Sequence, residues 1–436
     1  MITLTILQHT EVALHWKNNP VEKIKAWESD LADNHQKFIK ANLRLDLTRG
    51  KPAIEQLALA DGLDGILRGN YLASDGTDTR NYGGLTGLPE ARNMGAEWLG
   101  LPQEEVLVSG NSSLSIMYQV LHVGAHYGFG TTPWLQQSTP PEFLAVVPGY
   151  DRHFAICEKL GIKMVNVPMK VDGPDMEMVE AQVRRSQVKG IWCVPKYSNP
   201  TGNIYGAEVV ERISRLGNQA ASDFRIMWDN AYAIHDHYEN ASELTNLMEL
   251  CRLNGTQDSV FLFGSTSKVT LAGAGISFLG GSKANIKHFI EQMAYWTIGP
   301  DKVNQLRHTR FLPDFAAAKK HMKQHAEIIR PKFELVLKKL DESLKIKEMG
   351  NWISPEGGYF ISFDSLPDHA KEIVRLAGEA GVKITPAGST FPYRFDPEDK
   401  NIRLSPTYPS IEDLSMAMDV FVNCVQLATI RKHLGE

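Results

Sequence analysis

Ser259-Val-Phe-Leu-Phe-Gly-Ser-Thr-Ser-Lys268-Val-Thr-Leu-Ala-Gly-Ala-Gly-Ile-Ser-Phe-Leu279 begins as an apolar strand and breaks into a turn of small residues around one lysine. It resumes as a second apolar strand from Gly275 to Leu279. The turn gives Lys268 serine, threonine and glycine neighbours and little acid. Partial desolvation lowers the pKa of a lysine, which makes it a nucleophile or base near neutral pH. An ordinary surface lysine on a connecting loop fits the same letters, so the rest of the chain has to decide.

Upstream, Val106–Val108, Phe143–Val147, Gly190–Val194 and Arg225–Trp228 repeat the plan of a short apolar strand ending in polar or small residues. Helical patterns lie between them, at 114–121, 153–160 and 207–216. Continuous apolar strands alternating with helices predict an α/β fold with a parallel sheet covered on both faces. Ligands of such sheets bind beyond the carboxyl ends of the strands. Asn111-Ser112-Ser113, Tyr150, Asn199, Asp229 with Tyr232, and Lys268 all fall there, which predicts one pocket built from five distant loops.

The flanks differ. A helix is expected over 21–43, followed by the extended piece Leu45–Pro52, in which Gly50 allows close backbone approach and Pro52 keeps Lys51 out of the helical region. From about Phe315 a charged helical pattern runs to Leu344, expected to bend near Pro331. Strand-like pieces at 351–363 and 401–405 and an amphipathic helix from Ser410 complete a smaller α+β block. The predicted division is 60–310 for the large domain, with 1–59 and 311–436 forming the small one. A chain of 436 residues is long enough for both.

A net charge of −5 and a pI near 6.3 give no electrostatic case for nucleic acid or an anionic membrane surface. Met1–His15 lacks a basic segment followed by a long apolar core, and no stretch approaches roughly 18 uninterrupted apolar residues. Cys157, Cys193, Cys251 and Cys424 are scattered without metal spacing, and the 14 histidines form no HExxH pattern. No metal site is expected, and a reducing cytoplasm is the simplest home.

Each loop has a chemistry and a plainer reading. Ser112 and Ser113 open a helix whose free N–H groups suit an anion, or they simply cap it. Ser265 and Ser267 flank Lys268 closely enough to share that anion. Asp229 ends an apolar strand and needs a cationic or hydrogen-bonding partner, either a protonated ring nitrogen or the next helix. Asn199 shapes a turn before Pro200 or faces a ligand oxygen, and Tyr150 stacks on a flat ring or belongs to the core. Arg403, between Ile402 and Leu404, requires an anion: a substrate carboxylate or a structural partner. Together these match the requirements of pyridoxal 5'-phosphate: a lysine for the Schiff base, a phosphate cradle and an aspartate for the pyridinium.

The chain resembles the fold-type I pyridoxal-phosphate aminotransferases of the aspartate aminotransferase superfamily. The resemblance rests on Tyr82 with Gly-Leu-Thr-Gly-Leu-Pro-Glu at 84–90, Ser-Asn-Pro-Thr-Gly at 198–202, Asp-Asn-Ala-Tyr at 229–232, Ser-Thr-Ser-Lys at 265–268 and Ile-Arg-Leu-Ser at 402–405. It runs from Leu45 to Ser405, with local wording most like the MocR-type branch. It implies a large domain with a mostly parallel seven-stranded sheet and a smaller α+β domain. It further implies that Lys268 holds the cofactor and shuttles a proton, that Asp229 pairs with the pyridine nitrogen, and that Asn199 and Tyr232 contact the ring hydroxyl. Tyr150 would stack on the ring, and Ser112, Ser113, Ser265 and Ser267 would serve the phosphate. Tyr82 would reach the phosphate of a neighbouring subunit, so a homodimer with shared sites is implied. Arg403 would bind the substrate α-carboxylate with the Gly50 backbone nearby.

The implied reaction moves an amino group from an L-amino acid, aspartate by branch resemblance, to 2-oxoglutarate with ping-pong kinetics. A pyridoxal-phosphate lyase on the same scaffold is the alternative, and a ligand-sensing module of a regulator is a third. The residues ahead of Leu45 are too few for a DNA-binding domain and linker, and no GxGxxG follows a first strand as a dinucleotide fold would require. One departure matters: many relatives carry a phosphate-binding arginine where this chain has Gly275. A side-chain carboxylate would need a second cation, for which Arg49, Lys51, Arg80, Arg152, Arg307 and Arg310 are candidates.

Overall fold

The computed structural model describes residues 16–48 and 50–435, so Met1–His15 and Arg49, both used above, lie outside the described residues. β1 (Leu45–Leu47) stands apart from the main sheet. That sheet is built from β2 (Val106–Ser109), β3 (Glu142–Val147), β4 (Lys163–Lys170), β5 (Gly173–Pro174), β6 (Val188–Cys193), β7 (Arg225–Asp229), β8 (Val260–Ser265) and β9 (Ser277–Gly281). Their order across the sheet is β2-β9-β8-β7-β6-β3-β4-β5.

Eight strands replace the expected seven, because two-residue β5 folds back antiparallel on the edge of β4. The pairs β3–β4, β3–β6, β6–β7 and β7–β8 are parallel. β9 runs against both β8 and β2. The Lys268 turn is too short for the crossover of a dozen or more residues that a parallel return needs. Because β2 and β8 both oppose β9, they share a direction, and the carboxyl ends of β2, β3, β6, β7 and β8 lie along one edge.

Every residue of β6, β7 and β8 is buried. Alternate side chains feed opposite faces of the sheet. Val260 and Leu262 join one apolar cluster with Ile226 and Trp228, while Phe261 and Phe263 join another with Met227. This two-sided burial is what the continuous apolar runs predict.

A further core unites the 21–40 helix with β1, β10 (Asn351–Trp352), β11 (Ile361–Asp364), β12 (Val382–Ile384) and β13 (Asn401–Leu404). β10, β11 and β13 form one antiparallel sheet, and β1 pairs in parallel with β12. The Phe315–Leu340 helix joins the two halves, giving Ala318 and Met322 to the main core and Ile329, Phe333, Val336 and Leu340 to this one. The helix runs unbroken through Pro331. Four buried apolar side chains beyond and beside the proline, at about 1.5–3 kcal/mol each, outweigh a cost of about 3 kcal/mol for an interior proline. The irregularity comes later, as a π-helical turn at Asp341–Lys345.

The last helix, Ile411–Leu434, is capped by Ser410, whose side chain accepts from the Asp413 N–H. It is not amphipathic as expected: every residue from Val420 to Ile430 is buried. It is also long and apolar enough to cross a membrane, but 78% of that stretch is buried inside the protein.

Candidate active site

Tyr197 and Tyr232, from loops after β6 and β7, pack into the second core beside Tyr359 and Phe360. The strand-end edge of the main sheet therefore meets the strands of the second core, and the predicted pocket residues gather at that junction.

Lys268 extends its ammonium over two tyrosine rings, 5.2 Å from the Tyr232 centroid and 5.8 Å from that of Tyr359. Burial pulls its pKa below the usual lysine range; the charge of Asp229 opposes the shift and that of Arg403 adds to it. The turn bearing Lys268 is clamped from behind. Tyr359 Oη donates to the Lys268 carbonyl at 3.4 Å, and His321 Nε2 lies 2.8 Å from the Val269 carbonyl. His308 Nε2 lies 2.9 Å from Thr270 Oγ1. Gln56 Nε2 donates to Tyr359 Oη and lies 3.0 Å from His325 Nδ1, while His325 Nε2 is 3.1 Å from His321 Nε2. Burial holds His308, His321 and His325 below the usual histidine range, His325 at about 4, so the clamp is neutral near pH 7.

Asp229 is 3% exposed at the end of β7. Its Oδ2 accepts from His153 Nε2 at 3.0 Å, and the His153 ring stacks on Trp192 with centroids 4.0 Å apart and planes within 6°. Its Oδ1 is buried with no hydrogen-bond partner among the described residues. An orphaned carboxylate oxygen is costly, and a protonated ring nitrogen satisfies it. Tyr150 lies edge-on to His153 at 4.9 Å, and burial, aided by Asp151 and Asp229, lifts its phenol to about 12. Burial likewise raises Tyr232 well above the usual tyrosine range. Both phenols are therefore protonated donors at neutral pH.

Ser112 takes the N-cap position of the Ser113–His126 helix without making a side-chain cap, which leaves N–H groups and a helix dipole for an anion. Ser267 Oγ donates to the Asn111 carbonyl at 2.9 Å, Asn111 Nδ2 to Gly273 O at 2.9 Å, and Ser277 Oγ to Gly110 O at 2.7 Å. Those bonds lace the Ser112 loop to the lysine turn and place the two predicted halves of the phosphate cradle side by side. Ser265 is buried at the end of β8. The Ser267 hydroxyl proton is already engaged, so this residue fits the cradle only with its rotor turned.

Gly275 explains its own departure. A Cβ there would sit 2.9 Å from Thr266 Oγ1 and 3.0 Å from the Ser267 N–H nitrogen, so an arginine has no room to start. Nearby, Lys302 is buried and donates to the carbonyls of Asn81 and Gly83 at 2.8 and 2.7 Å, fixing the loop that presents Tyr82. Tyr82 itself is 84% exposed.

Arg403, 6% exposed, donates through one terminal nitrogen to Asp151 Oδ1 at 3.2 Å and Asn199 Oδ1 at 3.3 Å. The other reaches Thr48 O and Thr385 Oγ1, both at 3.5 Å, while Nε has no partner among the described residues. The guanidinium lies 4.8 Å over the Phe360 ring. A Cβ on Gly50 would strike Phe360 Cζ at 2.7 Å, which is why that approach takes a glycine. Of the candidate second cations, Arg80 is paired with Asp78, Arg307 and Arg310 donate to carbonyls at 63, 67 and 72, and Lys51 lies over Tyr408. Exposed Arg152 is felt electrostatically by Tyr150.

His153, Asp151, Gln56, Tyr359, His321 and His325 escaped the sequence reading. The pattern around 150 places a helix start, but says nothing of which first-turn side chains turn toward β7 and β13.

A buried lysine of depressed pKa, an aspartate with one free oxygen and an anion cradle on an α/β sheet define a lysine-dependent cofactor enzyme. The aspartate amino-transferase family profile matches residues 22–436, and the chain belongs to that family. It is an aminotransferase. A Mycolicibacterium smegmatis protein is 46% identical over 412 residues, covering 92% of this chain and 95% of its own. An aspartate aminotransferase of Corynebacterium glutamicum is 44% identical over 410 residues, 93% and 94% of the two chains. The crystal structure of a C. glutamicum aspartate transaminase superposes with a TM-score of 0.92 at 43% identity, covering 96% of this chain and 99% of that one. An α-aminoadipate aminotransferase of Thermus thermophilus, complexed with N-(5'-phosphopyridoxyl)-L-leucine, shares the fold at a TM-score of 0.73 and 21% identity. The family implies pyridoxal 5'-phosphate, and the free Asp229 oxygen, the Ser112–Ser113 helix start and Lys268 fit that group.

Proposed function

We propose that the protein is an aspartate aminotransferase that passes the amino group of L-aspartate to 2-oxoglutarate by ping-pong kinetics. The observation that carries the reading is the unpartnered Asp229 Oδ1, buried in the same pocket as Lys268. Similarity to aspartate aminotransferases supports the donor. When bound, pyridoxal 5'-phosphate supplies a carbonyl for amines and an electron sink for the substrate carbon. Lys268 holds the group and moves a proton at Nζ; its depressed pKa supports this by raising the neutral fraction. Asp229 Oδ1 would accept from the ring nitrogen, with His153 fixing the other oxygen. Asn199 and Tyr232 would serve the ring hydroxyl and Tyr150 the ring face, while Ser112, Ser113, Ser265 and, with its hydroxyl turned, Ser267 would hold the phosphate. Arg403 binds the α-carboxylate beside the Gly50 backbone.

The same reading includes the MocR-type branch, a division at 60–310 with 1–59 and 311–436, and a homodimer in which Tyr82 completes the partner's site. It also places the enzyme in the cytoplasm, a location supported by four free, buried cysteines. The test is a panel of amino donors against 2-oxoglutarate. Aspartate should lead, double-reciprocal plots should be parallel, and Lys268→Ala should lose turnover together with the near-visible absorbance of the linked cofactor. Retained turnover in Lys268→Ala, or ammonia released without any need for an oxo acid, would overturn the assignment.

A further inference from the structure

Arg403 is buried, yet the anion it holds is not. The side chain of Arg403 is 7% exposed, whereas that of Asp151, its charged partner among the described residues, is 37% exposed. The two neutral oxygens on its second terminal nitrogen lie at 3.5 Å, the limit of a hydrogen bond, and Nε has no partner among those residues. Among the described residues Asp151 is therefore the charged group that compensates a desolvated guanidinium, beside the Asn199 amide and the Phe360 ring, and it does so from the solvent side. Asp151 is also the first residue of the 151–159 helix, where a carboxylate is stabilised by the helix dipole even without the arginine. It can leave Arg403 without becoming an orphaned charge.

We propose that Asp151 is a positioning residue for the carboxylate anchor, a resting counter-ion of Arg403 that an incoming substrate carboxylate displaces. This rests on the assignment of Arg403 as the carboxylate anchor. A carboxylate bound end-on through both terminal nitrogens takes a hydrogen that Arg403 now gives to Asp151 or Asn199. With no substrate, Asp151 prevents a buried unpaired charge. With substrate, it returns to the helix start and leaves one negative charge beside the bound carboxylate. Asp151 thereby keeps the anchor oriented but weakens every carboxylate ligand by a common factor, so that only ligands with further contacts are retained.

The experiment measures binding of succinate, which cannot react, to the holoenzyme by calorimetry, with steady-state kinetics alongside. Asp151→Asn and Asp151→Ser should tighten succinate about two- to fivefold, the equivalent of a partly exposed ion pair. KM for amino and oxo acids should fall by a similar factor. Weaker binding in both variants would make Asp151 a mere support for Arg403, and unchanged binding would make it a bystander; either result overturns the proposal. Arg403→Lys separates the two levels. If it binds succinate as the parent does, the anchor assignment fails as well. If it loses succinate while the Asp151 variants gain nothing, only the counter-ion role fails.

Discussion

Asp229 has one oxygen bound to His153 and one left free, so the consequences of losing His153 are specific. His153→Phe keeps the stack on Trp192 but strips the last partner from a buried carboxylate. Leaving such a group unsatisfied costs about 1–3 kcal/mol. Urea unfolding of the cofactor-free enzyme should show a loss of that size, and cofactor retention after dialysis should fall with it. Wild-type stability in the variant would mean that water or another group replaces the imidazole. At this scale the sequence was informative where a polar residue interrupts an apolar strand end, as at Asp229 and Lys268, or breaks an apolar strand, as at Arg403. It was silent on His153 and Asp151, because their roles depend on the azimuth of a helix's first turn against two strands distant in sequence. The second cation stayed open for the same reason: Arg80, Arg307 and Arg310 carry the right charge, but each is spent locally.

Among elements, the turn after β8 is defined by what packs behind it. Gly275→Ala should destabilise the protein by about 1–3 kcal/mol, as overpacking does, because its Cβ meets Thr266 and the Ser267 backbone. Urea midpoints test this, and a neutral result would show that the turn yields. The histidine clamp makes a pH prediction. His325 is held at about 4 by burial, against an unfolded value near 6.5. Between those values the unfolded chain takes up protons that the folded chain refuses, so stability is full above about 6.5 and falls as pH drops toward 4. Replacing His325 with Gln should flatten urea-derived stability over that window by up to about 1.4 kcal/mol per pH unit. An unchanged slope would sink the assignment. The main strands were legible because burial on both faces writes an unbroken apolar run. β4, second from the edge, was not, since Lys163-Met-Val-Asn-Val-Pro-Met-Lys170 mixes polar residues and a proline into a half-exposed strand. The terminal helix misled for the opposite reason: its charged ends suggested an amphipathic surface, but its middle is buried all round.

Taken whole, the molecule leaves aromatic and aliphatic surface uncovered beside the loop that Lys302 holds. Tyr82 is 84% exposed, Tyr295 89% and Ile298 65%. The two segments are packed together, because a Cβ on Gly299 would stand 2.4 Å from the Gly83 carbonyl. An exposed cluster of this kind next to a rigidly held loop supports a subunit interface. If Tyr82 serves the partner's site, damage to Lys268 and damage to Tyr82 should complement each other. A hybrid of Lys268→Ala and Tyr82→Ala subunits has one site with both defects and one with neither. Random pairing makes about half the dimers hybrid, each with one intact site, so the mixture should approach about a quarter of parental activity. Tagging the two subunits differently and purifying the hybrid sharpens the measurement, since the isolated species should reach about half. Activity no greater than the average of the two parent homodimers would mean that Tyr82 does not act across subunits. A sharing interface also makes activity depend on concentration: below the dimer's dissociation constant, specific activity should fall on dilution and recover on concentration.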